Sequence, residues 1–217
     1  MIKGTPERVA ERREEIINAC EGLYQTMSFK EITLKEIGTV VPFSRPTIYN
    51  YFQTKEEIFL ALFQREYDRW NEDLAKILEG HDALSSRKLA EEIAGSLARR
   101  PQLLKLLSMN NYDMEANSRP EQLTSFKRSY GRSLRLMRLL LEKYRPDVTA
   151  QGVQRILYVF FPFMFGIYPY AAVTEKQRAA MTEAGVDYAY PTIYDLTFRC
   201  LTRLLAQETD EKEGEPA

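Results

Sequence analysis

Arginine, threonine and asparagine stand at positions 45, 47 and 50, within five residues of one another. The guanidinium of Arg45 can donate two parallel hydrogen bonds to guanine, and the amide of Asn50 can make the matching pair with adenine. The methyl group of Thr47 suits a contact with the methyl group of thymine. If these side chains lie on one exposed helix, they are predicted to read the edges of base pairs.

Side chains that suit phosphate groups stand next to these three residues. Thr33 and Lys35 begin a predicted helix, where a hydroxyl, an ammonium group and a helix N-terminus can each hold a phosphate. Tyr49 points its hydroxyl outward and suits a phosphate as well. Ser44 and Pro46, at the start of the helix that carries the base readers, complete this predicted DNA-contacting set.

A solvated helix face is the alternative for Arg45 and Asn50, because charged and amide side chains are mostly exposed in any protein. The spacing of the neighbouring residues favours DNA contact instead. A helix-turn-helix crosses two short helices steeply, so it needs apolar residues at fixed offsets and a small residue where the backbones meet. Counted from Leu34, those offsets hold Ile37, Gly38, Val41, Phe43, Ile48 and Tyr51.

Pro42 departs from that pattern. The turn of such a motif usually has a glycine with positive φ at this position, and the proline ring cannot adopt that conformation. The turn is therefore expected to differ locally from the common one. Pro42 also leaves an alternative open, in which the chain is a helical interaction or adaptor module whose head does not bind DNA.

Helical spacing of apolar residues runs through almost the whole sequence, so an all-α fold of about nine helices is predicted. Thr33 and Glu36 suggest a capping box, and Ser44, Thr54 and Thr149 are predicted N-caps. Asn110–Arg119 is read as a loop or frayed turn. The long predicted helices are Pro6–Met27, Thr54–Glu79, Pro120–Tyr144, Thr149–Pro169 and Pro191–Gln207.

Composition limits the class of protein. The formal net charge of -1 provides no overall attraction to nucleic acid, so binding would need a local surface. Cys20 and Cys200 form no CxxC motif, no signal peptide is evident, and the uncharged segment Leu157–Val173 is shorter than the roughly 20 residues of a membrane span. A cytoplasmic protein is expected, with a helix-turn-helix domain at 1–54, a body at 55–207 and an acidic disordered tail at 208–217.

Two segments resemble the DNA-binding head of the tetracycline-repressor (TetR) family. They are Phe29–Ile37 (FKEITLKEI) and Ser44–Ile58 (SRPTIYNYFQTKEEI), and the resemblance covers roughly residues 8–65. Its most specific part is the pair Tyr51-Phe52 followed by Lys55. The resemblance implies a three-helix DNA-binding head in which Lys55 contacts a phosphate. It also implies a ligand-responsive repressor that binds a palindromic operator as a dimer.

The same resemblance implies that the last two long helices of each chain form a four-helix dimer interface. A dimer of this kind places two recognition helices about 34 Å apart, in successive major grooves. The final helix is apolar around more of its circumference than one core face needs, which favours a second buried face. An entirely intramolecular core helix is the alternative. The predicted interface residues are Tyr194, Phe198, Leu201 and Leu205.

Members of the family bind a small molecule in the body, so a pocket for an apolar or amphipathic effector is expected. Aromatic and methionine side chains could line it, although such a stripe is more often plain core. The predicted pocket residues are Met109, Tyr112, Phe126, Tyr130, Met137, Tyr158, Phe161 and Phe165.

An enzyme is not expected. His81 is the single histidine, and neither an acid nor a nucleophile accompanies it in the sequence. Phosphate-binding, GxSxG and dinucleotide motifs are absent from the sequence. No catalytic residue, metal ligand or cofactor is therefore predicted.

Overall fold

A computed structural model describes residues 5–109 and 111–213, with side chains at all of these except 111 and 208–213. Every regular element in this part of the chain is an α-helix, which confirms the predicted all-α fold. There are eleven helices here rather than about nine. They are α1 (Pro6–Thr26), α2 (Leu34–Val40), α3 (Arg45–Tyr49), α4 (Lys55–Gly80), α5 (Ser86–Ala98), α6 (Pro101–Leu107), α7 (Asn111–Ala116), α8 (Pro120–Tyr144), α9 (Ala150–Ala171), α10 (Glu175–Glu183) and α11 (Ile193–Glu213).

Three helices differ from the sequence-based prediction. The prediction of a loop or frayed turn at Asn110–Arg119 is wrong, because this segment contains α7, whose Met114 is buried. The segment Thr174–Ala189, for which the sequence suggests a mixed loop with a helical turn at Glu175–Glu183, contains a full helix, α10, at those bounds, and a complete capping box at Thr174 starts it. α11 continues six residues beyond the expected end at Gln207, since no glycine or proline interrupts 208–213. The disordered tail at 208–217 stays a prediction, and 214–217 lie outside the described residues.

Hydroxyl side chains start several helices, as the sequence predicts for Thr33, Thr54 and Thr149. Each accepts a hydrogen bond from a backbone N–H of the first turn, which has no partner within the helix. Ser44 occupies the N-cap of α3 as expected, but its side chain makes no capping bond. Its hydroxyl lies 3.1 Å from the hydroxyl of Thr47 instead.

The chain forms two compact units, and two long helices contribute to both. The first unit comprises residues 1–65 and 110–130, and the second comprises 66–109 and 131–217. The beginnings of α4 and α8 therefore belong to the first unit and their remainders to the second. The predicted domain boundary after residue 54 stays a prediction.

The first unit is built around α1, α2, α3 and the beginning of α4. Its core contains Ile16, Cys20 and Phe59, which are fully buried. Burying a large apolar side chain contributes about 1.5–3 kcal/mol, so Ile16 and Phe59 each stabilise the head. At the surface, the guanidinium of Arg65 on α4 pairs with the carboxylates of Glu14 and Glu21 on α1, at 3.1 Å and 2.8 Å.

In the second unit, α11 packs on α5 and α9, and α6 packs on α9. Trp70 is completely buried there, and its indole Nε1–H donates to the Ser96 hydroxyl at 3.0 Å. Ser96 in turn donates to the carbonyl of Ile93 at 2.7 Å. The indole proton thus has a partner in the core, as a buried tryptophan requires.

The C-terminal end of α4 is closed by two side chains of α8. The Tyr144 hydroxyl lies 2.8 Å from the His81 carbonyl oxygen and 3.0 Å from that of Ile77. The Lys143 ammonium group donates to the carbonyls of Leu78 and His81 at 2.8 Å and 2.7 Å. Carbonyls at a helix end lack partners within the helix, so these two side chains stabilise the end of α4.

Within the described residues, no single helix has the length and apolar composition of a membrane span. α9 and α10 reach that composition only as a pair, and they are bent by 81° at the break between them.

Candidate nucleic-acid interface

The crossing of α2 and α3 forms the helix-turn-helix that the sequence predicts. Ile37 and Ile48 are completely buried at the crossing, and Val41 is buried beside them. Gly38 lies where the helices approach: a Cβ atom there would be 3.6 Å from the Cβ of Arg45 and 3.7 Å from the Cδ1 of Ile48. A small residue is therefore needed at this position, as the predicted spacing requires.

The turn between α2 and α3 accommodates Pro42 without a left-handed residue. Val41 has φ -77° and ψ 149°, and Ser44 has φ -66° and ψ 148°, so both are extended. No residue described between them has a positive φ. This confirms that the turn differs from the common one, and the proline ring causes no conflict with it.

The exposed side of α3 presents the three predicted base readers. Arg45 and Asn50 are exposed, and Thr47 is half-buried next to Ser44. The Arg45 guanidinium carbon lies 6.0 Å from the centre of the Tyr49 ring, and its Nη2 is 3.4 Å from the Tyr49 hydroxyl. Arg45 therefore lies along α3 and is held by weak contacts that a guanine edge could replace.

Thr33 and Lys35 stand at the N-terminus of α2, as predicted. The Thr33 hydroxyl accepts the backbone N–H of Lys35 at 3.1 Å and donates to the carboxylate of Glu36. The hydrogen bond from Thr33, followed by backbone N–H groups of α2, lowers the pKa of Glu36. The Lys35 side chain is exposed. It is thus the freer of the two groups for a phosphate contact.

Lys55 makes intramolecular contacts that its sequence position does not reveal. Its Nζ donates to the backbone carbonyl of Phe29 at 2.7 Å and lies 4.1 Å from the centre of the Phe29 ring. These contacts attach the start of α4 to the segment before α2. An ammonium group has three donors, and the Phe29 carbonyl takes one of them.

Sequence reasoning missed the pair formed by Arg119 and Glu57 in the first unit. The Arg119 Nε donates to the Glu57 carboxylate at 2.6 Å, and its Nη2 donates to the backbone carbonyl of Tyr51 at 3.1 Å. The two partners are 62 residues apart. No helical periodicity links positions so distant, so the sequence offered no signal for this contact.

The eight predicted pocket residues differ widely in burial. Phe126, Met137 and Phe161 are buried, and Met109 and Tyr130 are half-buried. Three others are exposed: Tyr112 by 87%, Tyr158 by 70% and Phe165 by 43%. The eight are also divided between the two units, with Tyr112, Phe126 and Tyr130 in the first.

The four predicted dimer-interface residues of α11 have two different environments. Leu201 and Leu205 are fully buried within the chain's own second unit, so the prediction is wrong for these two. Their side chains fill the core that α11 forms with α5 and α9. Tyr194 and Phe198 remain accessible in part, and their rings stack with centroids 5.8 Å apart.

The helix-turn-helix and its outward-facing recognition helix place this chain in the class of DNA-binding transcriptional regulators. The family model described as "Bacterial regulatory proteins, tetR family" matches residues 16–62. The model described as "Tetracyclin repressor-like, C-terminal domain" matches residues 64–197. The chain belongs to the tetR family of bacterial regulatory proteins, as its sequence motifs predict.

Known relatives agree with this assignment. The HTH-type transcriptional regulator HbdR of Aromatoleum sp. (strain CIB) is 28% identical over 75 residues, which span 35% of this chain and only 33% of that protein. A putative TetR-family regulator from Mesorhizobium loti aligns with 94% of this chain and 98% of its own, at 16% identity and a TM-score of 0.60.

Two further similar structures are FadR regulators. FadR from Bacillus subtilis, in complex with stearoyl-CoA, has a TM-score of 0.58 at 15% identity and covers 89% of this chain and 97% of its own. FadR from Thermus thermophilus, in complex with lauroyl-CoA, has a TM-score of 0.55 at 20% identity. It covers 90% of this chain and 94% of its own. At these identities the likeness establishes a shared fold.

Proposed function

We propose that this protein is a ligand-responsive transcriptional repressor that binds a palindromic operator as a homodimer. The observation that carries the proposal is the arrangement of α3, whose apolar side is buried on α2 through Ile48 while Arg45 and Asn50 face solvent. A recognition helix docks with its N-terminal residues on base edges in the major groove. With a net charge of -1, affinity must come from this local surface.

In the proposed complex, Arg45, Thr47 and Asn50 read bases, and the predicted neighbours of these residues contact the backbone. Lys35 on α2 and Tyr49 at the end of α3 are both exposed and would hold phosphates. Lys55 donates one hydrogen bond to the backbone carbonyl of Phe29 and would donate another to a phosphate. Such a protein acts where the DNA is, and we propose that this is the cytoplasm. No catalytic role is proposed.

Operator binding is tested by selecting duplexes from a random pool with the full-length protein and measuring affinity by fluorescence anisotropy at several salt concentrations. Arg45→Ala is expected to lose about 1–3 kcal/mol of discrimination at one base pair in each half-site. Arg99→Ala, an exposed arginine of the second unit, is the matched control. The proposal fails if no sequence is enriched, or if Arg45→Ala binds the selected duplex as tightly as the parent protein.

The outward side of α9 supports the proposed homodimer. It exposes large apolar side chains, with Tyr158, Val159 and Tyr170 accessible by 70%, 49% and 60%. Contiguous apolar surface of this kind marks interaction sites in proteins. Phe165, on the same helix, is 43% accessible and extends this surface.

Mass measurement in solution tests the dimer. Val159→Glu is expected to shift the protein from dimer to monomer and to weaken operator binding, because one head alone contacts a half-site. Val186→Glu is the control, since Val186 is 50% exposed in the second unit and lies outside α9 and the head. A parent protein that is monomeric at micromolar concentration would contradict the dimer.

An open pocket of about 340 Å³ between α8 and α9 supports an amphipathic effector with an anionic group. Leu134, Leu157 and Tyr158 provide apolar wall, and Arg135 and Arg138 provide positive charge. Within the described residues, neither guanidinium is seen in an ion pair. The FadR structures above hold acyl-CoA molecules, which combine an apolar chain with phosphates, so we propose an effector of that chemical type.

Lauroyl-CoA, lauric acid and free coenzyme A are suitable probes for this effector site. We expect lauroyl-CoA to bind in calorimetry and to release the operator, and the double variant Arg135→Gln/Arg138→Gln to weaken that binding. Arg99→Gln is the matched control. If none of the three probes binds, the effector class proposed here is wrong, whereas operator binding is judged by its own experiment.

A further inference from the structure

Glu57, in the first turn of α4, is a carboxylate whose surroundings differ from those of an ordinary helix-terminal acid. Its side chain is 1% exposed. Arg119 donates to it with a fork, Nε to Oε1 at 2.6 Å and Nη2 to Oε2 at 2.9 Å. The backbone N–H groups of Gln53 and Arg119 add hydrogen bonds at 2.8 Å and 3.1 Å. A forked arginine–carboxylate pair fixes both distance and direction, so this contact is geometrically specific.

Residues 117–119, which precede α8, also hold the connection between α3 and α4. The Arg119 Nη2 donates to the backbone carbonyl of Tyr51 at 3.1 Å, and the Thr54 hydroxyl donates to the backbone carbonyl of Asn117 at 3.0 Å. Tyr51 follows the recognition helix by only two residues. The segment 117–119 thus binds the connection at two points and by two different donors.

These contacts matter for α3 because that helix is only five residues long. A helix so short has little stability of its own, so its direction depends on what holds its two ends. Its start is held by the crossing at Gly38. Its end runs directly into the connection that Arg119 binds.

Arg119 is also placed at the beginning of another element. The next residue is Pro120, the first residue of α8, and α8 continues without a break to Tyr144. A displacement of the start of α8 must therefore change the contacts of Arg119 with Glu57 and Tyr51.

We propose that Arg119 is a positioning residue for operator recognition: by binding Glu57 and the Tyr51 carbonyl, it sets the direction in which α3 presents its base-reading side chains. This inference rests on the operator binding proposed above. Arg119 itself does not touch DNA in this arrangement. Its effect is on selectivity, because misdirected base readers lose hydrogen bonds to bases while phosphate contacts tolerate small displacements.

The test compares Arg119→Gln, Arg119→Lys and Glu57→Gln in the full-length protein. The readout is the ratio of affinities for a selected operator and for a random duplex, at fixed salt and at a temperature where circular dichroism finds each variant folded. Arg119→Gln is expected to lower this ratio by about 5- to 150-fold, the usual size of coupling between sites. Glu57→Gln should lower it less, because Arg119 keeps its bond to the Tyr51 carbonyl.

Arg100→Lys is the matched control, since Arg100 donates to the buried carboxylate of Asp73 at 2.8 Å in the second unit. It is expected to lower the melting temperature and to leave the ratio unchanged. If Arg119→Gln does not fold, the affinity ratios of Arg119→Lys and Glu57→Gln test the proposal. These two substitutions change the volume of the side chain less, so the variants are expected to fold.

The outcomes separate the two proposals. If the parent protein selects an operator and the folded variants keep its selectivity, Arg119 has only a structural role and the inference is overturned. If the parent protein selects no operator, the proposed function fails and the inference fails with it.

Discussion

A Cβ atom added to Gly38 would lie 3.6 Å from the Cβ of Arg45, the first residue of the recognition helix. That separation is ordinary van der Waals contact, so the crossing of α2 and α3 has room for one methyl group, and a larger side chain is expected to press on Arg45 and Ile48. The position therefore limits side-chain volume and does not depend on the backbone freedom of glycine.

Gly38→Ala and Gly38→Leu should consequently behave in opposite ways. Alanine is expected to keep operator binding and to stabilise α2 by up to about 1 kcal/mol, because glycine is the poorer helix former. Leucine is expected to force the helices apart, with a cost of about 1–3 kcal/mol and a loss of selective binding. Urea unfolding and anisotropy measure the two effects. Equal tolerance of both substitutions would show that the helices are not in close contact.

Lys35 and Arg45 are predicted to contribute to DNA binding in different ways. Because the proposed homodimer carries Lys35 twice, Lys35→Ala should weaken binding to every duplex alike and reduce the slope of log affinity against log salt by about 1.8, at about 0.9 for each phosphate contact. Lys176→Ala on α10 is a control of equal charge. A sequence-dependent effect of Lys35→Ala would instead place this lysine on a base.

Glu57 is predicted to make the stability of the protein depend on acid pH. Burial by itself raises the pKa of Glu57, but hydrogen bonds from Arg119 and from backbone N–H groups outweigh it and lower the pKa below its ordinary value of 4.5. Since the folded-state pKa is depressed, the contribution of Glu57 is complete above about pH 4.5 and is lost as the pH falls through the folded-state pKa.

This pH dependence is measured by urea unfolding of the parent protein and of Glu57→Gln between pH 3 and pH 7. We expect the parent protein to be more stable by about 1–3 kcal/mol near pH 7 and the difference to shrink below pH 4.5. Glu56→Gln, one residue earlier in α4, is the control. A difference that stays constant over this range would exclude Glu57 as the titrating group.

Cys20 is predicted to report on opening of the head. It is completely buried in α1, and burial raises the pKa of its thiol to about 12, so the reactive thiolate is scarce at pH 8. Burial also raises the pKa of Cys200, to about 11, but that residue is only half-buried. In a Cys200→Ser background, a thiol reagent at pH 8 should modify Cys20 only as the head unfolds. Rapid modification of the folded protein would contradict this burial.

Tyr144→Phe is predicted to destabilise the second unit by about 0.5–1.5 kcal/mol, the usual net value of one hydrogen bond. The loss should be moderate because Lys143 still donates to the Leu78 and His81 carbonyls. Tyr112→Phe, at a residue of the first unit that is 87% exposed, is the matched control. Equal stabilities of the two variants in urea unfolding would mean that the Tyr144 hydroxyl contributes nothing at the end of α4.

The sequence predicted those features that depend on neighbouring positions. Helix starts at Thr33, Thr54 and Thr149 follow from a hydroxyl that meets backbone N–H groups two or three residues later. The buried pair Ile37 and Ile48 follows from the fixed offsets of a helix-turn-helix. Both kinds of signal extend over fewer than about 20 residues, so local spacing was enough to locate the head.

Tertiary structure decided which apolar residues are buried and which distant residues meet. Leu201 and Leu205 belong to the core while Tyr158 is exposed, although all three lie in helices rich in apolar residues. The apolar character of a residue makes its burial favourable but does not determine whether it is buried. The packing of α11 on α5 and α9 determines which side of α11 is buried. The Glu57–Arg119 contact joins residues 62 positions apart, and only the folding of the first unit places them at hydrogen-bonding distance.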